Sequence, residues 1–179
     1  DIDVTIDAAA QRFAVAGSYL IRNQRDTTLR QLALTVGRWE QMHWTVDGDS
    51  IVPDTASALY LFRLKRPLGP SDSVRIAFSY TGDVSAPTKG SGGAGEFIIP
   101  SGVVTSNFGA RWFPYVGYIP EIGVDKDNRF EPRQYPDDWY VGTTPASFGS
   151  QLPTTVRTRI TVPRDFTANG VGELIADSV

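Results

Sequence analysis

Polar and apolar residues alternate at every second position along most of the first half of the chain. Ile2, Val4 and Ile6 alternate with Asp3, Thr5 and Asp7, the pattern of a strand with one buried face. The same period places Phe13, Val15, Gly17, Tyr19 and Ile21 on one face of a second strand. Asn23 to Thr27 reads as a polar turn, and Leu32, Leu34 and Val36 define a third strand. Gly37 punctuates it before Met42, Trp44 and Val46 define a fourth. Asp47-Gly48 tolerates the positive φ that a type I′ turn needs at both central positions, so a hairpin is predicted there. Ala58, Tyr60, Phe62 and Leu64 make a further face, which Pro67-Leu68-Gly69-Pro70 is predicted to break before Val74, Ile76, Phe78 and Tyr80.

The second half is less regular. Residues 83–96 are rich in Gly, Ser, Ala and Pro and read as a flexible loop. Short strands are predicted at Phe97 to Ile99 and Val103 to Thr105, followed by an aperiodic stretch over 107–153. Val156, Thr158, Ile160 and Val162 restore the alternation, and Asn169-Gly170 predicts one more hairpin into Val171 to Ile175. No segment sustains a 3.6-residue period. The expected fold is therefore all-β, a two-sheet sandwich or a saddle-like twisted open sheet with one long irregular aromatic segment. One domain is expected over 1–179, and the start on Asp1 with a strand-like end predicts a piece of a longer protein.

Composition narrows the function classes. The chain has 179 residues, 41% of them hydrophobic, and a net charge of -3. A globule of this size buries roughly 70% of its unfolded surface, enough for a core. Mild acidity without a Lys/Arg cluster predicts no nucleic-acid partner and no direct membrane contact. With no cysteine, disulfides, thiolate zinc sites and cysteine nucleophiles are excluded.

Candidate chemistry is thin. His43 is the one histidine and alternates with Met42 and Trp44, as a solvated strand residue would. Gly90 to Gly95 spells G-x-G-x-x-G, but a strand-like Phe97-Ile98-Ile99 follows where a phosphate site needs a helix N-terminus. Asp125-Lys126-Asp127-Asn128 invites a calcium reading, yet Arg129 and Phe130 occupy the positions that need a ligand and a glycine. The aromatic residues from Trp112 to Tyr140 fit a carbohydrate platform, or an irregular segment packed on a sheet; packing is the favoured reading. That segment is expected to be ordered, draped over one end of the sheets and pinned by Trp112, Phe113 and Tyr118.

Ala110-Arg111-Trp112-Phe113-Pro114 resembles the Ala-Arg-x-x-Phe-Pro signature of the aminopeptidase N family of zinc metallopeptidases, the gluzincins. Phe13 to Gly17, Pro67 to Pro70 with Tyr80-Thr81-Gly82, and Val162-Pro163 with Asn169-Gly170 resemble further family passages in the family's order. The resemblance implies a non-catalytic N-terminal β domain that lines the substrate cleft. Zinc would belong to a downstream catalytic domain of the same polypeptide, and a peptide would be the parent's substrate. Its motif residues here are Ala110, Arg111, Phe113, Pro114, Gly117 and Tyr118. The Phe-Pro-x-x-Gly-Tyr variant looks like the subgroup fused to an ABC-type membrane permease, which implies an extracytoplasmic domain of a membrane-bound bacterial protein.

The sequence also departs from the pattern. One residue rather than two separates Arg111 from Phe113. Where the family places a Gln or Glu that helps hold the substrate's amine, this chain reads Thr105-Ser106-Asn107. The His-Glu-x-x-His zinc motif does not occur. The rival expectation is a stand-alone β-sandwich module for glycan or peptide. With one histidine and no cysteine, the chain is expected to bind no stoichiometric zinc and to leave aminoacyl substrates uncleaved. Equimolar, chelator-removable zinc in a calorimetric titration would overturn this.

Overall fold

The computed structural model describes residues 1–36, 40–54, 60–83, 97–104, 113–117, 155–170 and 172–178. Among them there are strands and turns and no helix. The strands are β1 (Ile2–Asp7), β2 (Arg12–Arg22), β3 (Leu29–Thr35), β4 (Glu40–Val46), β5 (Asp49–Ser50) and β6 (Tyr60–Leu68). There follow β7 (Ser73–Asp83), β8 (Phe97–Ile99), β9 (Gly102–Val104), β10 (Tyr115–Val116) and β11 (Thr158–Thr161). A six-stranded sheet runs in the order β11-β1-β2-β7-β4-β5, a three-stranded sheet in the order β10-β3-β6, and β8 pairs with β9. The fold is all-β and its two main sheets share one core.

That core is the apolar half of the alternation. Ile2, Val4, Ile6, Phe13, Val15, Trp44, Val74, Ile76, Phe78 and Tyr80 are buried from the large sheet. Leu32, Leu34, Phe62 and Leu68 are buried from the small one. Trp44 meets Phe62 at 5.0 Å between ring centroids, close to edge-on, and lies 5.9 Å from Phe78. Tyr19 meets Phe78 edge-on at 4.9 Å. Gly17 stands opposite Phe78 in the ladder, and a Cβ there would sit 2.7 Å from the Phe78 ring. Phe78 thus lies over bare backbone, in space that a side chain on β2 would otherwise fill.

Two turns lock the strands. Asp47 and Gly48 have φ of 50° and 90°, and Val46 pairs with Asp49, which is the predicted type I′ hairpin. The Asp47 carboxylate also accepts the Arg75 amide at 2.9 Å, tying the turn to β7. At the other end Asn23 is buried, where the sequence predicted only a polar turn. Its side-chain amide donates to the carbonyls of Thr27, Leu68 and Gly69 at 2.8–3.1 Å, and its carbonyl accepts the Arg25 amide at 3.0 Å. One side chain therefore joins the β2–β3 and β6–β7 connections.

Three expectations change. β6 continues through Pro67 to Leu68 rather than breaking at the proline. Its register jumps from Arg63 opposite Gln31 to Leu68 opposite Leu29, so Pro67 lies where the ladder is interrupted and needs no N–H. The 107–153 segment is not wholly irregular, because it contributes β10. The Asn169-Gly170 hairpin does not form. Neither residue has positive φ, the Asn169 side chain caps the Gly170 amide at 2.9 Å, and residues 172–178 form no strand. Leu174 and Ile175 are left 79% and 78% exposed.

Phe78 is buried over Gly17 and packs against Tyr19 and Trp44, so Phe78→Ala is expected to destabilise the fold by about 3–5 kcal/mol. A loss below about 1 kcal/mol in a denaturant titration would contradict this placement.

Candidate functional site

The described part of the signature segment is a clip on the edge of the small sheet. Proline fixes the backbone at Pro114 and directs the chain into an extended path. Phe113 enters the core at 9% exposure, Pro114 is buried beside it in sequence, and Tyr115 and Val116 form β10. Tyr115 pairs with Thr35 and Val116 with Leu34 in antiparallel register. Gly117 closes the clip from both of its backbone groups. Its N–H donates to the Ala33 carbonyl at 2.7 Å, and its carbonyl accepts the Thr35 hydroxyl at 2.7 Å. Gly117 has φ of 99°, a region open to glycine at no steric cost, which gives a glycine at this position its physical reason.

The Tyr115 phenol of the clip is coupled electrostatically to Tyr19, and Tyr19 to Tyr80. Burial raises the Tyr115 hydroxyl to about 12. Burial first, and then the neighbouring Tyr115 phenol, pushes Tyr19 up. Burial and then Tyr19 do the same for Tyr80. All three stay protonated at neutral pH, so this part of the fold offers hydroxyl donors without charge.

The remaining sequence-predicted residues divide sharply. Ala110, Arg111, Tyr118 and the Thr105-Ser106-Asn107 region lie outside the described residues. So do Trp112, the glycines at 90–95, and Asp125 to Asn128. His43 is exposed on the outer face of the large sheet, opposite Ser79. Among the described residues no group of His, Cys, Asp or Glu is arranged to hold a metal ion. Sequence reasoning missed Thr35, which is fully buried although strict alternation points it away from Leu34. Its one signal was a Thr between two apolar positions at the end of a strand.

Comparison with protein-family models, with curated proteins and with solved structures finds no match. The family resemblance therefore rests on the motif residues themselves.

Thr35→Val keeps the shape and removes the hydroxyl, leaving the Gly117 carbonyl without that donor. A loss of about 1–2 kcal/mol is expected, together with faster hydrogen exchange at the Gly117 amide. Unchanged exchange at Gly117 would mean that the clip does not depend on Thr35.

Proposed function

We propose that the chain is the non-catalytic N-terminal β domain of an aminopeptidase-N-like zinc metallopeptidase. In this reading it lines one side of a peptide-binding cleft and packs against a catalytic domain further along the same polypeptide. That domain supplies the zinc and the general base. The observation that carries the reading is the seating of Phe113 and Pro114. The last two signature residues are both buried, and the residues after them are bonded to β3. Such a seat fixes the direction in which the chain leaves the sheet on either side.

The clip supports a scaffold role for the motif because Gly117 is bonded to the Ala33 carbonyl and to the Thr35 hydroxyl. Nothing in it resembles a reactive pair of side chains. Peptide binding in this reading falls to the surface between this domain and the next.

The test is the coding sequence beyond Val179. A His-Glu-x-x-His helix within about 150 residues is the expected result. A stop codon, or an unrelated module in that interval, would favour the stand-alone glycan- or peptide-binding module instead.

A further inference from the structure

The outer face of the large sheet is not flat. Register aligns Asp3, Ala16, Ser79 and His43 in one row across β1, β2, β7 and β4. Thr5, Ala14 and Thr81 form the next row. Small side chains occupy the middle of both rows and longer ones the ends, so the face sinks into a trough of about 270 Å³. With strands ~4.8 Å apart and alternate residues ~7 Å apart, its floor measures roughly 14 by 7 Å. That is wide enough for one or two sugar rings lying flat.

A strained residue stands at the rim. Gln41 has φ of 52° without being glycine, inside a register shift that sets Glu40 opposite Thr81 and His43 opposite Ser79. Left-handed backbone at such a residue costs about 1 kcal/mol or more, and bulges of this kind re-aim side chains. Here the bulge brings both Gln41 and His43 to the trough.

The chemistry selects the ligand. We propose that this trough, between Asp3 and His43, binds a neutral saccharide. Thr5, Ser79 and Thr81 offer hydroxyls, Gln41 an amide and His43 an imidazole. These side chains make no hydrogen bond or ion pair among the described residues. The one carboxylate among the described lining residues, Asp3, is already paired with Arg159 at 3.5 Å. An anion would meet that carboxylate, and a cation would have only a shared one. An apolar ligand would strand the hydroxyls without partners. A peptide strand would find β1, β2 and β7 beneath the trough already paired on both sides. Sugar hydroxyls both donate and accept, which matches this mixed set, and the Ala14 and Ala16 methyls can receive the C–H face of a ring. The trough lies on the large sheet and the signature clip on the small one, so this proposal stands apart from the peptidase reading.

Amide spectra of the isotope-labelled 179-residue chain test it. The probes are glucose, galactose, mannose, N-acetylglucosamine and their β1–4-linked disaccharides, with glycerol and trialanine as controls. At least one sugar is expected to give saturable shifts at residues 3–5, 14–16, 41–43 and 79–81. Its Kd should lie at about 1–10 mM, the weak range of a small shallow site. Ala16→Val, which fills the floor, and His43→Ala, which removes one partner, should each weaken binding by about threefold to tenfold. The proposal is overturned by no saturation with any sugar, by equal shifts with glycerol, by trialanine moving these amides in place of sugars, or by both variants binding as before.

Discussion

The seam between the sheets depends on Trp44, with Phe78 packed behind it. Gly17 leaves a bare stretch of β2 backbone, and the Phe78 ring covers it while touching Tyr19 and Trp44. Trp44 passes the contact to Phe62 on the small sheet. Sheets packed face to face hold together through such interdigitated side chains, and aromatic rings supply the largest apolar area per residue. The Trp44 indole N–H remains buried without a partner, a cost accepted for the packing of its ring.

Much of this architecture was written in the alternation. Where the two faces of a strand differ cleanly, as in β1 and β7, period two was sufficient to find both the element and its buried side. Asp47-Gly48 was legible because positive φ at two consecutive positions is a narrow requirement. Asn169-Gly170 carries similar chemistry and makes no hairpin, because a turn needs flanking strands that pair, and none follows it among the described residues. Pro67 misled for a related reason. Proline forbids a ladder bond but not an interrupted ladder, and register shifts leave no mark in composition. Asn23 and Thr35 were illegible because their burial depends on chain segments distant in sequence. The Phe113-Pro114 seat was legible only as a motif; that the residues after it pair with β3 was not.

The two candidate surfaces use the sheets differently. The clip draws on the edge of the small sheet, where unpaired backbone groups can recruit a passing segment. The trough draws on a face whose central strands are already paired on both sides, so side chains carry the recognition there. Between them lies the shared core, in which no charged group is buried among the described residues.

The first strand has its outer neighbour at the far end of the chain. β1 pairs in parallel with β11, Ile2 opposite Thr158 through Thr5 opposite Thr161. During synthesis β1 therefore leaves the ribosome long before that neighbour exists. Until β11 arrives, a row of hydrogen-bonding groups on β1 stays open beside a freshly formed hairpin. Closing the sheet is then a late event with a large loop entropy, and the interval before it is when a nascent chain is most exposed to pairing with another copy.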